Sequence, residues 1–124
     1  MSKANIEELT IDGQVYVPKN SYQKAEKLDG MEYVIVRGDR SGVFAGYLES
    51  RKEREVILRQ ARRIWYWDGA NSISQLAEDG TSKPDTCKFP KAVNKIQILD
   101  VIEVIDCTKT AMESIQSVKV WSGN

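Results

Sequence analysis

The sequence predicts an α+β fold, in which a mainly antiparallel sheet, curved or rolled into a small barrel, carries one or two short helices. Short runs of β-branched and aromatic residues recur along the chain, and the turns between the first of them are too short for parallel crossovers. Two polar capping residues, Ser72 and Thr108, each precede apolar residues at helical spacing. The 124 residues suffice for one domain with a modest core, which we expect to span residues 31–124.

Residues 1–30 are expected to form an N-terminal hairpin extension and linker. Within this extension, Leu9–Ile11 and Val15–Val17 flank Asp12-Gly13, a dipeptide that is typical of two-residue β-hairpins. The polar stretch that follows is predicted to connect the hairpin to the domain and to contain a short helix around Tyr22–Leu28.

Three strands with short connections are predicted at the start of the domain. Their apolar runs are Tyr33–Val36, Val43–Leu48 and Val56–Trp67. Gly38–Gly42 has the composition of a turn, and Ser50–Glu55 is a charged stretch that we expect to be a loop. Strands in this order with short connections form an antiparallel meander.

The third predicted strand carries aromatic and basic residues on one face. A period of two puts Arg63, Trp65 and Trp67 on the same side of the sheet. These three residues therefore share a face, unless a bulge near Ala61 shifts the register. A cation and two indoles in a row form either a stacking platform with a phosphate anchor or an interface with another subunit.

Two helices are predicted from their capping residues. Ser72 and Gln75 form a capping box ahead of a short amphipathic stretch, which Gly80 ends. Thr108 precedes the second predicted helix, Lys109–Ser117. The remaining predicted elements are a loop, then one long or two short strands, then a last strand: Thr81–Pro90, Val93–Ile105 and Val118–Trp121.

Composition argues against several classes of function. The formal net charge is zero, whereas a general binder of long nucleic acids needs a basic surplus. There is no histidine, which removes the commonest general base and metal ligand. Cys87 and Cys107 form no CxxC pair, so we expect buried thiols rather than a disulfide or a zinc site. We therefore expect neither an enzyme nor a bound metal or cofactor.

The sequence also bears on location. No apolar run approaches the roughly 20 residues of a membrane span. The start of the chain does not have the pattern of a signal peptide. These observations predict a cytoplasmic protein without a membrane partner.

The arginines are confined to one window of the chain. All lie between residues 37 and 63, and the last two run through Ile64 into Trp65-Tyr66-Trp67. Guanidinium groups bind phosphate with a planar fork, and indole rings stack on nucleobases. The window therefore predicts a compact ligand that carries phosphates and a base. Seven residues are candidate contacts: Arg37, Arg62, Arg63, Trp65, Trp67, Ser72 and Phe89.

Each candidate also has a structural interpretation. Strand aromatics most often pack in a core or at an edge, and paired arginines most often lie on a solvated face. Ser72 is a candidate because free amides at a helix start accept phosphate, but its own side chain can satisfy those amides. Phe89 lies in a Lys-Phe-Pro turn, where it is either an exposed base-stacking residue or a plug of the core.

Several uncommon strings occur in a fixed order. They are Tyr33-Val-Ile-Val-Arg37, Ser41-Gly-Val-Phe-Ala-Gly-Tyr47, Ala61-Arg-Arg-Ile-Trp-Tyr-Trp67, Gly69-Ala-Asn-Ser-Ile-Ser-Gln-Leu76, Cys87-Lys-Phe-Pro90 and Val104-Ile-Asp-Cys-Thr108. In these strings the chain resembles a family of short phage and prophage proteins, the Thoeris anti-defence protein one family. The resemblance covers residues 31–121 and leaves the N-terminal hairpin as a variable extension.

The resemblance implies a small-molecule sponge. In Thoeris defence a TIR-domain enzyme makes a cyclic ADP-ribose isomer, and this signal activates a toxic effector. Proteins of the anti-defence family bind the signal and withhold it without degrading it. The family further implies a homo-oligomer, hexamer-like, with ligand pockets between subunits in the host cytoplasm, and some members also hold cyclic oligonucleotides at separate sites.

A second class of function uses the same residues. A phage protein that binds and inhibits a host protein would present its Trp and Arg side chains as interface hot spots. Self-association is also expected from the residues, because a chain of this size has little room for a deep pocket beside its core. The exposed aromatic surface near Trp65–Trp67 would then be covered by another subunit.

Overall fold

The computed structural model describes residues 9–11, 14–16 and 23–123. In chain order its elements are β1 (Leu9–Ile11), β2 (Gln14–Tyr16), β3 (Glu32–Gly38), β4 (Gly42–Lys52), β5 (Glu55–Arg63), α1 (Ile73–Asp79), a 3₁₀ turn (Pro84–Thr86), β6 (Val93–Ile98), β7 (Val101–Asp106) and α2 (Lys109–Ser117). None of the helices in these ranges is long and apolar enough to cross a membrane.

Five of the strands form one antiparallel sheet in the order β6-β5-β4-β3-β7. Strands β6 and β7 lie at opposite edges, yet only Leu99 and Asp100 connect them. β6 ends beside the β4–β5 turn and β7 begins beside the β3–β4 turn, so the sheet must curl until these two corners approach each other. The amide of Asp39 donates to Asp100 and the amide of Val101 to Arg54, each across 2.9 Å, so the connection contacts both β-turns. The predicted α+β class is confirmed, and within the described residues the curved sheet is not closed.

The curled sheet has an apolar cluster on each face. The inner core fills the concave side with Val34, Val36, Phe44, Val56, Leu58, Ala61, Ile98 and Val101. On the other face the two helices cover the sheet and form the helix-side core, in which the largest contributors are Tyr33, Ile35, Tyr47, Ile64, Leu76, Phe89, Met112 and Ile115. Each helix begins after its predicted capping residue and buries its apolar face. Ser72 accepts a hydrogen bond from the amide of Gln75, and Thr108 accepts one from the amide of Ala111.

A bulge in β5 determines which side chains face the helices. Ala45 pairs with Arg62 and Tyr47 with Arg59, so two residues of β5, Gln60 and Ala61, oppose the single residue Gly46. Gln60, the first residue of the bulge, has a φ of 50°, in the left-handed region that one class of β-bulge uses at this position. A Cβ on Gly46 would lie 3.0 Å from the backbone of Ala61, so the close approach of the two strands favours a glycine there. The bulge anticipated near Ala61 is therefore present, and it turns Arg62 to the helix side.

Two strand boundaries differ from the sequence prediction. The charged stretch Ser50–Glu55 is not a loop, because β4 continues to Lys52 and only Glu53 and Arg54 form the turn. β5 ends at Arg63 instead of Trp67. Beyond it, Tyr66 pairs with Lys88 in an isolated bridge. The amide of Ile64 still donates to the carbonyl of Val43 on β4, and its side chain packs into the helix-side core.

Two predicted elements are absent. The described part of the expected helix around Tyr22–Leu28 is extended, since Lys24 bridges to Thr108 and Ala25 is buried in the helix-side core. The expected last strand, Val118–Trp121, is reduced to one bridge between Phe89 and Val120. Other predictions hold: residues 93–105 form two strands, and both cysteines are free and buried.

The N-terminal hairpin is confirmed in its strand pairing. Leu9 pairs with Tyr16, and Thr10 pairs with Val15. The predicted turn residues Asp12 and Gly13, and Val17, lie outside the described residues.

Candidate functional site

The seven candidate residues do not form a single site. The structure brings Arg37, Trp67 and Ser72 to one cavity, which we call the Arg37 cavity. Arg62 lines a second cavity, the Arg62 cavity. The other candidates have separate surroundings, and their contacts define what each can do.

Three strands and a helix start enclose the Arg37 cavity. Arg37 on β3 lies directly between Val43 on β4 and Glu103 on β7 in the sheet register, and these three residues line one side. The other lining residues are Trp67, Ser72, Ile73 and Ser74, which come from the end of the aromatic stretch and the start of α1. The cavity has a volume of about 340 Å³.

The charged groups of the Arg37 cavity face each other. The Nη1 of Arg37 lies 3.3 Å from the Oε1 of Glu103, and both side chains are about half exposed. An exposed ion pair of this kind contributes roughly 0–1 kcal/mol to stability. The guanidinium is therefore available to an anionic ligand at a small cost, and Glu103 can accept hydrogen bonds from ligand hydroxyl groups.

Local hydrogen bonds fix the segment that carries Trp67 and Ser72. The carboxylate of Asp68 accepts from the amide of Gly69 across 2.9 Å and from the hydroxyl of Thr86 across 3.0 Å. The hydrogen bond from Thr86, and then that from Gly69, hold the pKa of Asp68 below its ordinary value. Trp67 itself is half-buried and packs against the helix-side core. The Trp67 side chain, which lines the cavity, is thus held by a packed segment.

Ser72 is engaged as a helix cap. Its hydroxyl accepts from the amide of Gln75 across 3.1 Å, and the side chain of Gln75 accepts in turn from the amide of Asn71. The capping interpretation of Ser72 is therefore confirmed. The hydroxyl keeps its proton for a ligand, because in the cap it acts as the acceptor.

Arg62 is buried, with 6% of its surface exposed, and binds three backbone carbonyls. Its Nε donates to Pro90 across 3.1 Å, its Nη1 to Ile115 across 2.9 Å and its Nη2 to Phe89 across 3.1 Å. These bonds join β5 to the loop before β6 and to the end of α2. Burial lowers the pKa of Arg62, while the nearby Tyr33 acts in the opposite direction.

Phe89 is fully buried, so the expectation of an exposed stacking residue was wrong. The loop that carries Phe89 turns inward, and its ring lies 5.5 Å from the guanidinium carbon of Arg62. The alternative, a plug of the core, is what the structure has. Arg63 is also committed to the fold, since it donates to the carbonyl of Ser41 across 2.6 Å and covers the ring of Phe44 at 4.3 Å.

Trp65 and Trp67 do not form one platform with Arg63. Trp65 is 63% exposed and stacks on Trp121, with ring centroids 6.4 Å apart and an interplanar angle of 6°. The Nζ of Lys88 lies 5.7 Å from the ring of Tyr66 and 5.6 Å from that of Trp121. We call these four residues the aromatic ridge. The platform predicted from a period of two is wrong because β5 ends before Trp65.

Comparison with known proteins assigns a family. A family model described as a domain of unknown function, DUF6948, matches residues 31–115. The chain belongs to this family. No curated protein and no solved structure matches the chain.

The matched region of this DUF6948 domain contains most of the residues that line the two cavities. It runs from just before β3 to Ile115 near the end of α2, and it includes Arg37, Arg62, Trp67 and Ser72. Leu28, Gln116, Val118 and Val120 of the Arg62 cavity and Trp121 of the aromatic ridge lie outside it. Within the described residues of the domain, no group of three or more acidic or cysteine side chains is placed to hold a metal ion.

Sequence reasoning missed two functional candidates of the DUF6948 domain. Glu103 was not identified because its place opposite Arg37 depends on the pairing of β3 with β7, which are far apart in the chain. Trp121 was assigned to a strand, whereas it stacks on Trp65. One signal for Trp121 was available in the sequence: the chain has few tryptophans, and this one follows the last helix.

Proposed function

We propose that the protein binds a small nucleotide-type anion of the cyclic ADP-ribose class and withholds it without chemical conversion. One observation carries the proposal: the guanidinium of Arg37, the indole of Trp67 and the hydroxyls of Ser72 and Ser74 line one cavity. The resemblance to the Thoeris anti-defence protein one family supports it. The protein would act as a phage sponge in the cytoplasm of the host cell, in immune evasion rather than catalysis.

Each lining group matches a part of such a ligand. Arg37 provides a fork for a phosphate, and the two serine hydroxyls can donate to phosphate oxygens. The Trp67 side chain offers aromatic surface to the base. Glu103 can accept from ribose hydroxyls once the phosphate has taken over Arg37. Binding then exchanges a weak exposed ion pair for charge-assisted hydrogen bonds in a more enclosed place.

The size of the Arg37 cavity favours a shared site. Its volume of about 340 Å³ lies at the small end of ligand pockets, which span roughly 300–1,000 Å³. A second copy of the chain over the opening would enclose more of a dinucleotide-sized ligand. We therefore include a homo-oligomer, hexamer-like as the resemblance implies, in the proposal, with cyclic oligonucleotides as a further ligand class at separate sites.

Titration calorimetry with a cyclic ADP-ribose isomer tests the proposal. We expect the protein to bind the isomer and Arg37→Ala to weaken binding about tenfold, since a charged hydrogen bond contributes roughly 1.5–3 kcal/mol. Arg40→Ala is the matched control, because Arg40 is exposed in the β3–β4 turn and does not line the cavity. Heating the complex should release the ligand unchanged, as chromatography would show.

Glu103→Gln sharpens the test because it has the opposite expected sign. Removing the carboxylate frees Arg37 and lowers the negative charge of the cavity, so the phosphate should bind more tightly or equally well. If Arg37→Ala and Arg40→Ala behave alike, or if the released ligand is hydrolysed, the proposal is wrong.

A second candidate function is an interaction module that binds and inhibits a host protein. The aromatic ridge favours it, since Trp65 is 63% and Tyr66 49% exposed, and neighbouring Val120 is 58% exposed. If the protein is such a module, Trp65→Ser should abolish the co-purification of a stoichiometric partner from host lysate. No change in thermal melting would be expected on addition of the nucleotide.

A further inference from the structure

The Arg62 cavity lies at the other end of the helix-covered face from the Arg37 cavity. Tyr33 and Tyr47, which pair directly across β3 and β4, both line it. Tyr33 is four residues before Arg37 on the same strand, or about 13 Å by the rise of a β-strand. The volume is about 630 Å³, and the two cavities share no lining residue.

The lining of the Arg62 cavity is positively charged. It contains Arg62 and Lys91 but no aspartate or glutamate. Among the described residues Arg62 has no ion pair with a carboxylate, although it is almost fully buried. A buried cation without a counter-ion is costly, so the cavity favours an anion over a neutral or cationic molecule.

Hydrogen-bond donors remain available at the base of the cavity. Each terminal nitrogen of Arg62 carries two N–H groups and donates one of them to a carbonyl, so one on each has no acceptor in the described part of the chain. The hydroxyl of Tyr33 also has no hydrogen-bond partner in the described part of the chain, although only 3% of the surface of this residue is exposed. The hydroxyl of Tyr47, in contrast, donates to Met112 and accepts from Gln116.

The remaining lining fits an organic group. Leu28, Val118 and Val120 contribute apolar surface, and Gln60 and Gln116 contribute amides. The volume exceeds what a phosphate ion alone would fill and lies well within the range of organic ligands. A phosphate monoester carries a charge of about −1.5 to −2 at pH 7, which the two cations match.

We propose that the Arg62 cavity is a second binding site, which takes an organic phosphate monoester of mononucleotide size. The phosphate lies between Arg62 and Lys91 and accepts from the hydroxyl of Tyr33. The organic part contacts Leu28, Val118 and Val120. The bulge at Gln60 creates the site, because it is what turns Arg62 toward the helices. The site does not depend on the function proposed for the Arg37 cavity.

Titration calorimetry of the full chain with adenosine monophosphate, adenosine and inorganic phosphate tests this site. We expect the monophosphate to bind, adenosine not to bind, and inorganic phosphate to bind more weakly than the monophosphate. Lys91→Gln should weaken binding of the monophosphate about tenfold. Lys52→Gln makes the same charge change at the far β4–β5 hairpin, outside the cavity, and should leave binding unchanged.

Two further variants separate the sites and avoid a folding defect. Tyr33→Phe keeps the buried ring and removes only the hydroxyl, so it should weaken binding of the monophosphate severalfold while the melting temperature stays close to that of the parent protein. Arg37→Ala should leave this binding intact, whereas it weakens the cyclic ADP-ribose isomer. The proposal is overturned if the monophosphate does not bind, or if Lys91→Gln binds it as the parent does. Equal affinity for inorganic phosphate would overturn the assignment of the organic part.

Discussion

The Nη1 of Arg62 donates to the carbonyl oxygen of Ile115 across 2.9 Å and so joins the sheet to the last turn of α2. The final carbonyls of a helix lack partners within the helix and carry partial negative charge. A guanidinium at this position supplies both a donor and a positive charge. The same side chain binds the carbonyls of Phe89 and Pro90, so one residue connects three parts of the fold.

Arg62→Ala is predicted to destabilise the protein strongly. The substitution removes three charge-assisted hydrogen bonds and the packing of the guanidinium on Phe89, although the carbonyls of Ile115 and Phe89 each keep a backbone donor. We expect the free energy of unfolding to fall by about 3 kcal/mol or more. Urea unfolding followed by circular dichroism at fixed protein concentration measures this change. Arg40→Ala, at an exposed turn, should change stability by no more than about 0.5 kcal/mol. Similar stabilities for the two variants would show that the three hydrogen bonds do not hold the fold.

Phe89→Ala is predicted to lower the stability of the protein, rather than to remove a direct contact with a ligand. The ring is completely buried in the helix-side core, and removal of such a ring costs about 3–5 kcal/mol. Phe89→Leu retains most of the volume and should cost less than about 1.5 kcal/mol. Thermal melting orders the variants as parent, Leu, then Ala. A parent-like melting temperature for Phe89→Ala, together with lost ligand binding, would place the ring at the surface instead.

Local signals in the sequence predicted the helices well. Ser72 and Thr108 cap α1 and α2 as expected, because capping depends on residues three positions away. The end of β5 was not predictable in the same way. The bulge lies opposite Gly46 of the neighbouring strand, and beyond Arg63 the chain bridges to Lys88 of a distant loop. Neither contact is visible in a period of two.

The candidate site was predictable by residue type but not by arrangement. Arginine and tryptophan were chosen for their chemistry, and Arg37 and Trp67 do meet in one cavity. Their meeting requires the pairing of β3 with β4 and the path of the chain after β5, which are tertiary features. Phe89 shows the converse, because a Lys-Phe-Pro turn looks exposed until the loop folds under Arg62.

The stacked pair Trp65 and Trp121 is predicted to couple energetically. Parallel offset rings add roughly 0.5–1.5 kcal/mol beyond the area that they bury. A double-mutant cycle with Trp65→Leu and Trp121→Leu, measured by urea unfolding, should give a coupling energy in this range. Trp65→Leu combined with Tyr66→Leu is the control, since in the described part of the chain the rings of these two residues do not stack on each other. Additive effects of Trp65→Leu and Trp121→Leu would contradict the stacking.

Alkaline pH should reveal the burial of Cys107. Burial in the helix-side core, and then the neighbouring carboxylate of Asp106, raise the pKa of Cys107 from 9.0 to about 12. Burial likewise raises the pKa of Tyr33. In the unfolded chain the thiol loses its proton near pH 9, whereas the folded protein retains it. Between these values the unfolded state binds fewer protons, so the free energy of unfolding must fall as the pH rises.

Cys107→Ala is therefore predicted to flatten the loss of stability above pH 9. For the parent protein, a single thiol contributes a slope of at most about −1.4 kcal/mol per pH unit, which is present up to the folded pKa of about 12. Urea midpoints at pH 8, 9, 10 and 11 measure the slope, and the alanine variant should lose this part of it although it starts from a lower stability. Tyr33→Phe should reduce the remaining slope only above about pH 10, where an exposed tyrosine begins to ionise. Parallel curves for the parent and Cys107→Ala would mean that the thiol reaches solvent in the folded state, in conflict with its burial beneath α2.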